Sequence, residues 1–421
     1  MANLDSNLTP NTPHATPLTA VLAVTALGSI GTGAITNGVF FLAESAYGYG
    51  DRLNLTLGAV LGGAYVTGAL TVGPALRRAA RRFAWLSTRT VLIFVLLLIA
   101  AAAALPAVAN SQPSTSGPWS LWVSVLIFAP TTGALWPIVE SYLSGGRRGK
   151  GLIRAIGAFN IVWSIAVVAS MWIMTLLIEK NPHGVLLVVG LVHVLAAGVV
   201  LRFAPEPARS DPDAWPDEPH PATYRVLLAV LRVLLPLSYV LSSTLSPLLP
   251  GILERLRIEI AWKPALASVW MAARVVTFVT LERWHGWHGR WSVPIGSAVL
   301  MVAGFTATVL CANFGAWGLP TLILGLFAFG LGMAGIYVGA LYYVMEVGHG
   351  GVDAGGSHEA IIGIGYTLGP VCGLMAGSLA GGDDPGARDP IVLALIGVLV
   401  LLGLVVGVPM LLARDRRQDR R

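Results

Sequence analysis

The chain has 421 residues, of which 55% are apolar and only 11% charged, whereas an average soluble domain carries roughly 25% charged residues. Apolar runs recur from near Leu18 to Leu412, which excludes a soluble multidomain protein and predicts one integral membrane body. The formal net charge of +6 comes from basic residues beside the apolar runs, which indicates orientation in a bilayer rather than binding of nucleic acid.

Twelve predicted membrane spans follow a polar tail. The first sixteen residues, MANLDSNLTPNTPHAT, contain no Lys or Arg and predict a disordered tail at 1–16. A helix needs about 20 predominantly apolar residues to cross a bilayer. On that measure the predicted spans are 17–43, 54–76, 85–106, 119–143, 153–178, 185–203, 225–250, 264–282, 292–312, 320–345, 358–380 and 390–413.

Basic residues in the loops predict the orientation of the chain. One set of loops, with the basic tail 414–421, holds most of them: Arg77, Arg78, Arg81, Arg82, Arg147, Arg148, Lys150, Arg283 and Arg290. The other set holds few, except after the seventh span, where Arg255, Arg257 and Lys263 occur. Because cytoplasmic loops are enriched in Lys and Arg, both termini are predicted to lie on the cytoplasmic side of a cell (inner) membrane.

A polar, Pro-rich stretch divides the chain into two similar halves. Residues 204–224, APEPARSDPDAWPDEPHPATY, predict a cytoplasmic linker. Six spans on each side give an N-terminal bundle at 17–203 and a C-terminal bundle at 225–413. Weak similarity between the segments starting at Arg154 and Glu359 favours a duplication. The predicted fold is an all-α integral membrane protein with about twelve transmembrane helices in two pseudo-symmetric six-helix bundles.

This layout resembles the major facilitator superfamily of transporters over residues 17–414. The loop GPALRRAARR, 73–82, keeps the Gly and basic residues of the superfamily's best-known motif but lacks its Asp, and LERWHGWHGR, 281–290, keeps part of the equivalent pattern. Span four lacks the arginine that many proton-coupled members use. A Gly-Pro pattern found on span five of family antiporters occurs here on span eleven. The resemblance implies alternating access, with spans one, four, seven and ten around a central cavity.

Charged residues inside the spans are candidate functional residues, because a charge buried in a bilayer costs about 2.5–3.5 kcal/mol. Arg274 lies near the middle of span eight, where we expect either a solute site or an ion pair that locks the halves together. Glu140 lies near the cytoplasmic end of span four. It either binds a cation or proton, or pairs with a basic residue of the adjoining loop such as Arg147.

Neutral polar and aromatic residues on the cavity spans predict a site for an amphipathic organic solute. Ser and Thr also join membrane helices, and Tyr also marks the membrane interface, so each position has a structural alternative. With the two charged residues, the predicted solute-binding set is Asn37, Thr132, Trp136, Glu140, Tyr239, Ser243, Arg274, Tyr337 and Tyr342.

A predicted inner gate and a predicted packing face lie near the end of the chain. Glu346 and Glu359 flank the one inner loop without Lys or Arg, and we expect them to pair with Arg78 and Arg82 beside span two. Small residues let helices approach closely. The packing face consists of Gly365, Gly369, Pro370 and Gly373.

Motifs of soluble enzymes are absent from the sequence. It contains no GxxxxGK[ST], HExxH or CxxC pattern and no dinucleotide fingerprint, so ATP hydrolysis, catalysis, a metal site and a cofactor are not expected. The prediction is a monomeric secondary active transporter in membrane lipid that moves a small organic solute, with a coupling proton or ion. The alternative is a non-transporting sensor or scaffold of the same fold. A polar cavity between the halves would favour transport, and a packed apolar centre would favour the scaffold.

Overall fold

A computed structural model of the chain describes residues 16–83, 86–111, 117–147, 149–208, 221–347 and 352–418. Residues 1–15 of the predicted tail, 209–220 of the predicted linker and the end of the basic tail lie outside these ranges. The described chain is almost entirely helical. Its α-helices are α1 Leu18–Thr36, α2 Val39–Tyr47, α3 Asp51–Arg82, α4 Thr88–Ala109, α5 Trp119–Ser144, α6 Gly149–Leu177, α7 Pro182–Val200, α8 Ala222–Arg255, α9 Lys263–Ala267, α10 Val269–Arg283, α11 Ser292–Leu310, α12 Gly318–Val347, α13 Val352–Leu379, α14 Pro385–Leu402 and α15 Val408–Gln418.

The helices confirm the predicted membrane spans. Within the described residues, eleven helical segments are long and apolar enough to cross a membrane, and the longest, 292–344, contains both α11 and α12. These two helices are separated by a 3-10 turn, Cys311–Trp317, in which Gly315 has a φ of 54°. A residue with a side chain is strained at that φ, so glycine allows the chain to reverse here. Counting α11 and α12 separately gives about twelve spans, as predicted.

The first span is broken where it reaches the centre of the molecule. α1 ends at Thr36 and α2 begins at Val39, with Asn37 and Gly38 between them. A Cβ at Gly38 would lie 2.3 Å from the terminal methyl of Met174 and 2.5 Å from the Ala34 carbonyl oxygen. Only glycine therefore fits against α6 at this point. The break leaves polar backbone and the Asn37 side chain beside the central cavity, where such groups are tolerated in a membrane protein.

Two groups of helices pack against each other. In the first, α1 packs on α6 and α7, α4 on α5 and α7, and α3 on α5. In the second, α8 packs on α12 and α13, and α12 packs on α10 and α11. The main contacts between the groups join α3 to α13 and α6 to α10. The fold is therefore two six-helix bundles, and the domain limits at 17–203 and 225–413 stay a prediction.

Successive spans run in opposite directions, so the first and last described helices, α1 and α15, have their outer ends at one face of the molecule. We name this the terminal face. The opposite face carries the end of α8 and the starts of α3, α9 and α14. These names describe positions in the fold and do not depend on which face is cytoplasmic.

The predicted packing face of α13 lies against helices of both groups. A Cβ at Gly365 would lie 2.6 Å from the Cβ of Tyr239, and one at Gly369 would lie 2.4 Å from the Val240 carbonyl oxygen, so α13 approaches α8 closely on this side. On the other side, a Cβ at Gly373 would lie 2.5 Å from a methyl of Leu55 on α3. Pro370 also faces α3, since a Cβ at Gly58 would lie 3.0 Å from its ring.

Candidate functional site

A cavity of about 70 Å³ lies between the two groups of helices. Its walls come from α1, α3, α5 and α6 on one side and from α8, α10, α12 and α13 on the other. The broken first span reaches it through Thr36 and Asn37. Sites that enclose drug-sized ligands typically measure roughly 300–1,000 Å³. The space between the halves is therefore smaller than a typical ligand site in this conformation, and both polar and apolar side chains line it.

Most of the predicted solute-binding residues line this cavity. The residues that do so are Asn37, Trp136, Glu140, Tyr239, Ser243, Arg274 and Tyr337. They come from the broken first span, α5, α8, α10 and α12, so the fold brings together side chains that are up to 300 positions apart in sequence (37 to 337).

Arg274 is the most deeply buried charge of the cavity wall, with 1% of its surface exposed. Its guanidinium carbon lies 4.6 Å from the ring centre of Trp163, 5.5 Å from Phe278 and 5.6 Å from Tyr337. None of the ion pairs among the described residues includes Arg274, and its Nε atom has no hydrogen-bond partner there. The ion-pair alternative for Arg274 is therefore wrong for the described chain, in which aromatic faces surround the cation.

Glu140 faces the cavity and not the adjoining basic loop. Arg147, one of the basic residues expected to pair with it besides Arg148 and Arg154, instead donates hydrogen bonds to the carbonyl oxygens of Tyr142, Leu143 and Thr16. Burial lowers the pKa of the Arg147 guanidinium. The carbonyl oxygens that accept its hydrogen bonds hold the side chain at the end of α5. Within the described residues, no donor reaches the Glu140 carboxylate. The carboxylate is thus available to a ligand or a proton in the cavity.

Glu359 also lines the cavity, whereas the sequence suggested a gate at the membrane surface. Its carboxylate accepts a hydrogen bond from the Tyr65 hydroxyl, and only 7% of the residue is exposed. The expected pairing with Arg78 and Arg82 is not seen, because both arginines are exposed and Glu359 is not. α13 begins at Val352, so Glu359 lies roughly 10 Å along the helix, at 1.5 Å per residue.

Three other predicted residues have different outcomes. Thr132 is buried on α5 but does not line the cavity, and its hydroxyl has no hydrogen-bond partner among the described residues. Tyr342 lies in an aromatic cluster at the terminal face, stacked on His288 at 4.2 Å and 5.1 Å from Trp287. Neither residue lines the cavity, so the prediction that Thr132 and Tyr342 belong to the solute site is corrected. The side chain of Glu346 lies outside the described residues.

The cavity contains aromatic residues that sequence reasoning missed. Tyr65, Trp163 and Tyr366 all line it. They lie on α3, α6 and α13, which are not the helices that the family resemblance assigns to the cavity. A tyrosine or tryptophan in an apolar span also fits the membrane interface. Only the packing of the two groups reveals their orientation.

Charged residues at the opposite face join the two groups of helices. Lys263 donates hydrogen bonds to Glu44 at 2.8 Å and to Glu254 at 2.6 Å. Arg388 binds Asp51 at 2.6 Å and Asp389 at 2.9 Å, and Arg255 binds Asp389 at 2.9 Å. Glu44 and Asp51 belong to the first group, and their cations belong to the second. This face is therefore closed by ion pairs that cross between the halves.

A cluster that could bind a metal ion is not found in the described part of the chain. The site is instead an aromatic enclosure with one arginine and two carboxylates. Such a site can hold the charged and apolar parts of an organic solute at the same time.

Solved transporter structures resemble this chain over almost its full length. A POT family transporter in complex with 5-aminolevulinic acid has a TM-score of 0.67 at 12% identity, covering 94% of this chain and 97% of that one. The nucleoside transporter NupG has a TM-score of 0.60 at 13% identity, covering 94% and 98%. A bacterial homologue of the human lysosomal transporter Spinster, in an inward-facing and unoccupied conformation, has 0.61 at 15%, covering 94% of both chains.

The chain has the fold of these transporters. The predicted all-α membrane fold of two six-helix bundles is thus confirmed, and at these identities the likeness concerns the fold alone. The sequence matches no family model and no curated protein. The function therefore has to be argued from the cavity of this chain.

Proposed function

We propose that this protein is a secondary active transporter that moves a small organic solute across a membrane by alternating access. The two six-helix bundles would rock about the central cavity, exposing it first to one side and then to the other. A solute, proton or ion gradient drives the cycle. Catalysis is not part of the proposal, and neither is ATP hydrolysis.

The cavity between the halves is the observation that carries this proposal. It is lined by charged, hydroxyl and aromatic side chains from both groups of helices, including Glu140, Tyr239 and Arg274. A protein that used this fold only as a scaffold would gain stability by packing apolar residues there, because unpaired buried charges are costly. The polar centre therefore favours transport over the alternative of a sensor or scaffold.

The proposal also includes coupling of solute movement to a proton, and the membrane in which the protein lies. One of the similar structures is described as a proton-dependent oligopeptide transporter, and Glu140 gives this chain a carboxylate that can take up and release a proton. We place the protein as a monomer in the lipid of the cell (inner) membrane. The basic loops of the terminal face then put both termini in the cytoplasm.

Uptake by purified protein in proteoliposomes tests the proposal. We expect at least one member of a panel of nucleosides, dipeptides, sugars and organic acids to accumulate only when a pH gradient is applied. Glu140→Gln should reduce gradient-driven accumulation tenfold or more while keeping exchange of solute across the bilayer. Glu206→Gln is the control, because Glu206 is exposed and bonds Thr88 at the terminal face. A lack of accumulation across the whole panel would contradict the proposal.

A further inference from the structure

Arg274 indicates the chemical class of the solute, if the cavity is the transport site proposed above. The residue lies on α10 and lines the cavity with 1% of its surface exposed. Its guanidinium is within 6 Å of four aromatic ring centres, yet no carboxylate forms an ion pair with it among the described residues. Aromatic faces attract a cation but supply no acceptor for its N–H groups, and the Tyr239 hydroxyl, which is a hydrogen-bond partner of the guanidinium, carries no charge to balance it.

The charges of the cavity can be neutralised in different ways. Glu359 already accepts a hydrogen bond from Tyr65, and Glu140 can lose its charge by binding a proton. An arginine keeps its proton under all physiological conditions. Arg274 is therefore the group in the cavity that needs a partner of opposite charge, and its Nε atom has no hydrogen-bond partner among the described residues.

The geometry around Arg274 also indicates the shape of that partner. Trp163 covers the guanidinium from the first group of helices, while Trp270, Phe278 and Tyr337 surround it from the second. The donors that remain lie in the plane of the guanidinium. A planar carboxylate matches two of these donors at once.

The remaining cavity wall suits an apolar body. Trp136 and Phe159 lie edge to face at 6.1 Å, and Tyr366 lies edge to face with Tyr65 at 5.6 Å, all of them lining the cavity. Aromatic surfaces of this kind bind apolar and aromatic groups. We propose that the solute is an organic anion whose carboxylate binds the edge of Arg274 and whose apolar body lies among these rings.

The contact between Arg274 and Trp163 also explains how such an anion would act on the fold. The two residues belong to opposite groups of helices and lie at the junction between α10 and α6. An anion bound to the guanidinium changes the charge at this junction. Binding of the solute is thereby linked to the relative position of the halves.

Binding to the purified full-length protein in detergent tests this inference. Four probes are similar in size and differ in charge: benzoate and phenylacetate as acids, phenylacetamide as the neutral analogue and phenethylamine as the cation. Inorganic phosphate is added as a small anion without an apolar body. We expect each acid to raise the melting temperature and to bind at least tenfold more tightly by calorimetry than the amide, the amine or phosphate.

Variants connect the binding to Arg274. Arg274→Gln should weaken phenylacetate binding at least tenfold, and Arg274→Lys should weaken it less. Arg232→Gln, at an exposed arginine on α8, should leave it unchanged. If Arg274→Gln does not fold, the comparison of acid with amide binding to the unmodified protein still tests whether the site prefers an anion. The inference is overturned if the amide or amine binds as well as the acids, if neither acid binds, or if Arg274→Gln keeps full affinity.

The same measurements separate this inference from the proposed transport. If an acid binds through Arg274 but no solute of the panel accumulates in proteoliposomes, transport is contradicted and the anion site is left intact. Normal transport of a neutral or cationic solute by Arg274→Gln contradicts the anion site and leaves transport intact.

Discussion

The hydrogen bond from Tyr65 to Glu359 joins the two halves of the molecule inside the cavity. Tyr65 belongs to α3 and Glu359 to α13, and both are buried. The free energy of a buried carboxylate depends strongly on each hydrogen bond that it accepts. Tyr366 offers a comparison, since its ring lies 5.6 Å from that of Tyr65 while its hydroxyl has no hydrogen-bond partner among the described residues.

We therefore expect Tyr65→Phe to favour separation of the halves and Tyr366→Phe to have little effect. Hydrogen bonds to charged groups contribute about 1.5–3 kcal/mol, so the loss should lower the population of the closed conformation by a factor of ten or more. The distance between spin labels on α3 and α13, together with thermal unfolding, measures the change. Glu359→Gln keeps an acceptor oxygen and should retain the closed state better than Tyr65→Phe. Equal behaviour of the two tyrosine variants would contradict this role.

At the scale of single helices, the interface of α3 with α13 depends on which glycines face it. A Cβ at Gly62 would lie 2.4 Å from the carbonyl carbon of Tyr366 and 2.5 Å from the amide nitrogen of Thr367. A Cβ at the neighbouring Gly63 would have no atom within 4 Å. Gly62 is therefore packed tightly against the backbone of α13, whereas Gly63, the next residue of α3, faces open space.

Gly62→Ala should destabilise the interface, whereas Gly63→Ala should not. The new methyl of Gly62→Ala meets backbone atoms that cannot move aside, and overpacking of this kind costs about 1–3 kcal/mol. Gly63→Ala adds a methyl in open space and gains roughly 0.5–1 kcal/mol of helix propensity. The melting temperatures of the two variants in the same detergent provide the measurement. A lower melting temperature for Gly63→Ala than for Gly62→Ala would refute this description of the interface.

α13 also shows what the sequence could and could not predict. Hydropathy located the spans, because the bilayer demands about 20 apolar residues whatever the neighbours are. It placed the start of this helix at 358, since GGVDAGGS is small and polar, but the helix begins at Val352. A helix can extend beyond the apolar layer, and hydropathy does not register that extension. Glu359 was therefore assigned to the surface, although it lies in the cavity.

The same limit applies to the solute site. The cost of burying charge indicated Arg274 and Glu140 without any structure. Their surroundings could not be predicted, because Trp163 and Tyr65 come from helices distant in sequence and their direction depends on packing. Thr132 and Tyr342 were expected in the site from residue type alone, and the rotation of α5 and α12 directs them elsewhere.

At the scale of the whole molecule, the ion pairs of the opposite face explain an exception in the charge pattern. The loop after the seventh predicted span carries basic residues on the side that usually lacks them. Lys263 binds Glu44 and Glu254, and Arg255 binds Asp389. In the folded protein these carboxylates balance the positive charges of Lys263 and Arg255. Their position between the halves gives these charges a structural role.

The two carboxylates of Lys263 allow a test of that role, because one crosses between the halves and the other does not. Glu44→Gln removes a bond from the first group of helices to the second, whereas Glu254→Gln removes one within the second group, at a side chain that is 70% exposed. The readout is the labelling of cysteines introduced at cavity positions, in a background without Cys311 and Cys372, by a water-soluble thiol reagent applied from the opposite face. We expect Glu44→Gln to make these cysteines more accessible. Asp51→Asn, which weakens the bond to Arg388, should do the same. The rate of labelling should increase severalfold, because a neutral amide keeps a hydrogen bond but loses the charge that holds a nearly buried cation. Glu254→Gln should label as the unmodified protein does. If all three variants label alike, these ion pairs do not control opening of this face.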